Sequence, residues 1–279
     1  MQKSVVVTGA GGYIGRNAVR GLLDRGARVI AVDLHTEGVD PRAETLQLDL
    51  FKDDPEVFQR LGRPDACLHM AWRNGFVHNA PSQMEDLSAH VRFIRQMMEG
   101  GLKQLAVMGT MHEIGYHEGA VQEDTPCNPS SLYGIAKDAL RRATFLLGKA
   151  NGTLVQWLRA YYIYGDDLKN NSIFCKLLKA AQEDQTTFPF TSGKNKYDFI
   201  TVDQLGQQLA ACVMQTRVDG IINCCTGHPV SLAEQVEGFI RERGLNIKLD
   251  YGAFPDRAYD SPAIWGDAAL IRQIMEAEQ

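Results

Sequence analysis

A chain of 279 residues, 44% of them hydrophobic, can bury one large core with a small appendage, so a repeat array is not required. The net charge of −5, with no basic cluster, argues against nucleic-acid binding, although a nucleotide-sized anion needs only one or two local cations. No apolar stretch approaches the ~20 residues that span a bilayer, and Met1-Gln2-Lys3 runs straight into a core strand, so neither membrane insertion nor a signal peptide is expected and the reading is cytoplasmic.

The first predicted element is the strand Ser4-Val5-Val6-Val7, followed by Thr8-Gly9-Ala10-Gly11-Gly12-Tyr13-Ile14-Gly15 and an amphipathic helix from Ile14 to Leu23. Strand, glycine turn and helix in that order are the setting a phosphate-binding loop requires. Gly9 permits the tight turn, Gly12 lets the backbone approach a pyrophosphate, and Gly15 lets the helix pack closely on the strand; the helix N-terminus adds free N–H groups and positive potential. A glycine-rich turn without a ligand is the competing reading. Against it stands the second strand, Ala27 to Asp33, which ends in a carboxylate placed to accept hydrogen bonds from the adenosine ribose and to repel a 2′-phosphate. NAD is therefore favoured, with NADP left open through His35 or Arg42.

A short strand from Thr45 to Asp49, a helix start at Asp54-Pro55 and a fourth strand from Ala66 to Ala71 come next. Alternating strands and helices imply an α/β fold with a doubly wound parallel sheet of the Rossmann type. Asp49 falls where an adenine should lie, or else caps its own loop. His69, inside an apolar strand, reads as a packed residue.

A long helix from about Ser82 to Gly100 leads to the fifth strand, Gln104 to Met108, whose carboxyl end delivers Gly109-Thr110-Met111-His112-Glu113. Carboxyl ends are where ligands sit in such sheets. After a loop containing Asp124-Thr125-Pro126 and Asn128-Pro129, a helix from about Ser131 to Asn151 carries Tyr133 and Lys137 on one face. A tyrosine that exchanges protons near neutrality needs its pKa brought down from about 10, and an ammonium one helical turn away does this. Tyrosine and lysine at that spacing are usually bystanders. Together with the glycine loop, Asp33 and Thr110, in that order, they point to catalysis. Lys137 would also bond the nicotinamide ribose, Tyr133 would exchange a proton with a substrate oxygen as hydride moves, and Thr110 would hold the same oxygen.

Leu154 to Arg159 predicts a sixth strand, followed by Tyr162-Ile163-Tyr164-Gly165. The pattern is then irregular up to Tyr197. Val202 to Met214 is amphipathic, Gly220 to Cys224 is the last core strand, and Ser231 opens a helix with Glu234 at capping-box spacing. The tail carries Arg257, a turn at Asp260-Ser261-Pro262 and a closing helix from about Asp267. The expected organisation is a dinucleotide-binding core, 1–165 and 196–227, with a small substrate-binding lobe, 166–195 and 228–279. Cysteines 67, 127, 175, 212, 224 and 225 lack CxxC spacing and nearby histidine pairs, so neither a zinc site nor a disulfide framework is suggested.

On TGAGGYIG at 8–15, Asp33, HMA at 69–71, the Thr110 to Gly115 segment, NPSSLYGIAK at 128–137, LRAYYIYG at 158–165, YDFITVD at 197–203 and INCCTG at 222–227, the chain resembles an extended short-chain dehydrogenase/reductase of the NAD-dependent epimerase/dehydratase family, over nearly its whole length. The resemblance implies a nucleotide-activated sugar held between the core and the C-terminal lobe. It also implies cofactor contacts at Gly9, Gly11, Gly12, Tyr13, Ile14, Gly15, Asp33, Asp49, Leu50, Met70, Ala71, Tyr133, Lys137, Tyr162 and Ile163. Substrate contacts are implied at Thr110, His112 and Arg257, the last at the nucleotide diphosphate, and a homodimer would pair the helices at 82–100 and 131–151.

The departures are informative. Sugar 4,6-dehydratases carry Asp-Glu directly after the strand-end threonine; here Met111 and His112 follow, so dehydration is not expected. The epimerase-reductase that makes nucleotide-fucose has a cysteine at the position of His112 and a histidine near Asp167, which makes double epimerisation a minor reading. The short chain and small C-terminal lobe resemble the smaller keto-sugar reductases, implying reduction of a nucleotide-linked 4-keto-6-deoxyhexose with Tyr133 as the acid. A nucleotide-sugar 4-epimerase with tightly bound NAD is the alternative, favoured mildly by Asp33. A cofactor-binding protein without catalysis is the third, and the presence of Tyr133 and Lys137 speaks against it.

Overall fold

Val5, Val6 and Val7 are wholly buried, as a parallel strand covered on both faces requires. In the computed structural model, which describes residues 2–165, 172–256 and 260–278, this run is β1 (Ser4–Thr8). It is followed by α1 (Tyr13–Asp24), β2 (Arg28–Asp33), β3 (Glu44–Gln47), α2 (Val57–Arg60), β4 (Ala66–His69), α3 (Ser82–Glu85), α4 (Leu87–Glu99) and β5 (Gln104–Thr110). Next come β6 (Gly119–Val121), α5 (Leu132–Asn151), β7 (Leu154–Ala160), β8 (Tyr162–Tyr164), α6 (Ile173–Gln182), β9 (Thr187–Pro189), β10 (Lys196–Thr201) and α7 (Val202–Met214). The chain closes with β11 (Gly220–Cys224), β12 (Pro229–Ser231), α8 (Leu232–Glu242), β13 (Lys248–Asp250), β14 (Ala263–Gly266) and α9 (Ala269–Glu276).

The main sheet has seven parallel strands in the order β11-β7-β5-β4-β1-β2-β3. Winding runs one way from β1 and then reverses through β4, so a crevice opens at the carboxyl ends of β1 and β4, where such sheets bind ligands. One apolar layer unites α1, α6 and α7 with the sheet, and the other unites α2, α4 and α5. The α1–α7 contact is close because both helices present glycine there: a Cβ at Gly206 would stand 2.8 Å from the Asn17 backbone. The expected doubly wound α/β fold is the fold observed.

Local boundaries differ from expectation for identifiable reasons. The fourth strand ends at His69 rather than Ala71, because the N–H groups of Met70 and Ala71 turn to Thr8 Oγ1 at 3.0 and 3.1 Å. The long helix is broken at Asp86, whose carboxylate takes two bonds from Arg73 at 2.7 and 2.9 Å. Gly15 packs its helical turn on the glycine loop, Gly9 and Ala10, rather than on the strand.

The segment 196–201 was grouped with the core, yet β10 joins a second sheet, β12-β10-β14-β6 with β8 on β10. That sheet is assembled from short pieces far apart in the chain, and buried Asp198 ties it together. Its carboxylate accepts from Thr226 N–H and Oγ1 and from the N–H groups of Gly227 and Gly266. Within the stretch read as irregular lies α6, started by Ser172 accepting from Cys175 N–H. The capping box at Ser231 and Glu234 forms as its spacing predicts.

Candidate active site

The nucleotide end of the crevice is made of backbone. Gly9 has φ +70 and lies against Ala71, where a Cβ would come within 2.7 Å of the Ala71 nitrogen. Gly12 is different: its φ of −69 and ψ of 167 suit any residue, and a Cβ there would have Gly9 O at 3.2 Å as its one neighbour within 4 Å. Gly12 therefore keeps open the approach to the first turn of α1. That helix carries no side-chain cap bond and no acidic residue in its first turn, so its positive end is available to an anion. Asp33, at the end of β2, is held by Gly11 N–H at 2.9 Å and Leu34 N–H at 2.7 Å. An uncapped helix end together with a carboxylate fixed at the end of β2, in this motif, fits a dinucleotide with an unphosphorylated 2′ position.

The catalytic end is made of side chains, with Thr110, Glu113 and Lys137 buried and Tyr133 and His112 half-buried. Thr110 closes β5 and begins a single 3-10 turn, Met111–Glu113, with reciprocal capping: His112 N–H donates to Thr110 Oγ1 at 3.3 Å, and Thr110 N–H donates to Glu113 Oε1 at 2.7 Å. Glu113 is fully buried. It also accepts from Trp157 Nε1 at 2.9 Å and faces Arg159 at 3.6 Å and Arg141 at 3.9 Å. Helix α5 begins at Ser131, whose side chain accepts from Gly134 N–H, and its first turn brings Tyr133 to the Thr110 side of the crevice. One turn on from Tyr133, Lys137 Nζ donates to Met108 O at 2.8 Å.

Dryness sets the charges here. Burial pushes Tyr133 above the ordinary tyrosine range, opposed by the Thr110 hydrogen bond. Burial brings Lys137 down to about 7, opposed by Glu113. The simple expectation of a lysine that lowers the tyrosine is tempered by the desolvation of both groups.

Aromatic rings surround Tyr133. His78 stacks on Tyr133 (centroids 5.2 Å, 15°) and meets His112 edge-on at 4.3 Å, and His112 stands 6.0 Å from Tyr133. Burial lowers both histidines, His112 to about 4. The loop bearing His78 is pinned to the start of α5, with Tyr133 N–H donating to His78 O at 2.8 Å and Leu132 N–H to Asn79 Oδ1 at 3.1 Å.

The model of the NAD dependent epimerase/dehydratase family matches residues 5–231. This chain belongs to that family. It is 44% identical over 270 residues to a dTDP-6-deoxy-L-talose 4-dehydrogenase (NAD(+)) of Aggregatibacter actinomycetemcomitans, covering 94% of this chain and 99% of that one. It is 24% identical over 302 residues to a UDP-glucose 4-epimerase of Lactobacillus helveticus, covering 97% and 90%. Its fold matches a UDP-glucuronic acid 4-epimerase from Bacillus cereus, solved with UDP-glucuronic acid and NAD, at TM-score 0.81 and 19% identity over 98% and 93% of the two chains.

Among the residues the family resemblance singled out, Gly9, Gly11, Gly12, Tyr13, Ile14, Gly15 and Asp33 lie together at the β1 end, with Met70 and Ala71 beside Gly9. Thr110, His112, Tyr133 and Lys137 gather at the β5 end. Asp49 turns its carboxylate to Phe51 N–H at 3.0 Å, the loop-capping alternative, and Leu50 is buried. Tyr162 and Ile163 are tied into the second sheet opposite Phe199 and Ile200. Arg257 and Asp167 lie outside the described residues.

Glu113, Trp72, His78 and His90 were not singled out. Thr110-x-x-Glu113 has capping-box spacing, a signal that marks Glu113 in the sequence. The other three become neighbours only through tertiary packing.

Proposed function

We propose that this member of the epimerase/dehydratase family is an NAD-dependent oxidoreductase that interconverts a nucleotide-linked 6-deoxyhexose and its 4-keto form, with dTDP-6-deoxy-L-talose as the candidate alcohol. The observation that carries the reading is the gathering of Thr110 at the end of β5 with Tyr133 and Lys137, one helical turn apart on α5, Lys137 Nζ donating to Met108 O of the same strand at 2.8 Å. Support for the sugar comes from the relative at 44% identity, a dTDP-6-deoxy-L-talose 4-dehydrogenase. Bound NAD would supply the two-electron carrier, with the loop at 9–15 and Asp33 holding its pyrophosphate and adenosine ribose.

In the reducing direction Tyr133 Oη donates its proton to the C4 oxygen of the sugar; in the oxidising direction it accepts that proton. Thr110 Oγ1 fixes the oxygen beside it, and the Glu113 bond to Thr110 N–H fixes the threonine. The Lys137 ammonium stabilises the phenolate that forms on reduction. His78 and His112, stacked over and beside Tyr133, face the sugar and limit how it can turn. That restriction favours one-way hydride delivery over 4-epimerisation, which requires the keto sugar to present both faces. Residues 166–195 and 228–279 are the proposed substrate lobe, with Arg257 at the diphosphate.

We further place the enzyme in the cytoplasm as a homodimer. All six cysteines are free thiols, five of them buried, and among the described residues no helix is long and apolar enough to cross a membrane. Leu146 (72% exposed) and Ile135 of α5, with Met84 of α3, offer apolar surface for a two-fold helix pairing, which light scattering tests.

The deciding experiment follows nicotinamide absorbance at neutral pH with NADH or NADPH and dTDP-, GDP- or UDP-linked 4-keto-6-deoxyhexoses. Stoichiometric oxidation of NADH by the dTDP-linked keto sugar, lost in Tyr133→Phe, is expected. Conversion of intact UDP-hexoses to their C4 epimers without net change in absorbance would replace this reading with the epimerase.

A further inference from the structure

Trp72, two residues beyond Met70, has no place in the glycine-loop and tyrosine–lysine signatures, yet it touches both Lys137 and Tyr133 of the catalytic end and a buried histidine behind them. The Lys137 Nζ lies 3.8 Å from the centre of its ring, Tyr133 meets it edge-on at 5.9 Å, and His90 of α4 stacks on it at 4.3 Å and 17°. Its position is fixed, because Trp72 Nε1 donates to Gln83 Oε1 at 2.7 Å and Gln83 Nε2 donates in turn to Asn74 O at 2.8 Å.

The histidine stacked on this indole carries no charge. Thr8 Oγ1 accepts from Met70 and Ala71 N–H, so its own hydrogen goes to His69 Nδ1 at 2.8 Å. His69 must then carry its proton on Nε2 and donate it to His90 Nδ1 at 3.0 Å. Burial holds both rings neutral, His69 at about 3 and His90 at about 2. The indole is left with one cation, Lys137, against it.

We propose that Trp72 is a positioning residue for the Tyr133–Lys137 pair, its indole face holding the Lys137 side chain in its ammonium form by a cation–π contact. The proposal rests on the catalytic reading of that pair. Other charged or titratable groups facing Lys137 are Glu113 from the turn after β5, His69 from β4, His90 from α4, and Tyr133 on its own helix. His78 and His112 lie beyond Tyr133, and Asp138 is taken up by Arg141 and Arg142. Glu113 favours the ammonium but is engaged by Trp157 and Thr110 N–H. The indole therefore opposes a burial cost that Glu113 offsets only in part.

The experiment measures kcat/KM against pH in the oxidising direction for wild type, Trp72→Leu, Trp72→Phe and Tyr133→Phe. In Trp72→Leu the rising limb, set by Tyr133, should move up by about half to one pH unit. Trp72→Phe keeps a π face but loses the Nε1 bond to Gln83, so it should restore most of the limb. A role confined to anchoring the loop would leave the limb in place in both variants, and that result would overturn the proposal. A fully active Tyr133→Phe would overturn the reading of the pair, and the proposal with it; an inactive Tyr133→Phe with an unmoved Trp72→Leu limb sinks the proposal alone. Should Trp72→Leu not fold, indole emission of the unliganded protein decides: a transition near neutral pH in wild type that is absent from Lys137→Met supports the contact, and identical titrations overturn it.

Discussion

The two ends of the crevice stand at the carboxyl edge of one sheet and are built from opposite materials. At the β1 end, backbone N–H groups and a part-buried carboxylate, Asp33, are fixed by short local bonds. At the β5 end, Tyr133, Lys137 and Glu113 are packed with His78 and His112, and burial shifts their charges. The first end is a shape, which a single methyl group can spoil. The second is an electrostatic balance, which a lost hydroxyl, a lost partner or a change of pH disturbs while the shape survives.

If the two ends are separable in this way, Tyr133→Phe should lower kcat by about 10²–10⁴-fold. The ring that stacks on His78 is kept, so cofactor affinity measured by titration should stay at the wild-type value. Loss of affinity together with rate would show that the ends are one unit. Glu113→Ala should act through the fold: it strands Arg159, Trp157 Nε1 and Thr110 N–H, at a cost of about 3–5 kcal/mol in urea unfolding. Gly12→Val tests the other end. The local φ and ψ suit any residue and a Cβ has Gly9 O at 3.2 Å as its one neighbour, so the unfolding midpoint should shift little while cofactor affinity falls about 100-fold, roughly 3 kcal/mol. A lowered midpoint with intact affinity would mean that Gly12 serves the fold instead.

The same contrast governs what the sequence discloses. The β1 end is local: strand, glycine loop, helix and Asp33 lie within about 30 residues, in the order their chemistry needs, so a linear reading recovers it. Tyr133 and Lys137 are legible because one helical turn brings them together, and Thr110 because it closes an apolar strand. Trp72, His78 and His90 are not legible, since they meet only when the connection after β4 folds against the start of α5 and onto α4. His69 was readable as a packed residue, and it is one, but its bond to His90 is tertiary. The second sheet escaped for a related reason: β6, β8, β12 and β14 are three or four residues each, too short to show a period.

The smallest effect probes with acid the histidines at and behind the β5 end. His69, His90 and His112 sit at about 3, 2 and 4, against an ordinary histidine near 6.5. Below pH 6.5 the unfolded chain takes up protons that the folded chain refuses, so stability falls as pH falls through the window between 6.5 and those lower values. Each such histidine should remove about 1.4 kcal/mol between pH 7.5 and pH 5.5. In His90→Asn the amide oxygen can still accept the His69 Nε2 proton, and the group no longer titrates. The difference between urea unfolding free energies at the two pH values should therefore shrink by about 1.4 kcal/mol. An unchanged difference would mean that His90 takes up its proton in the folded state, placing a cation against the indole that faces Lys137 and removing the reason for the neutral stack.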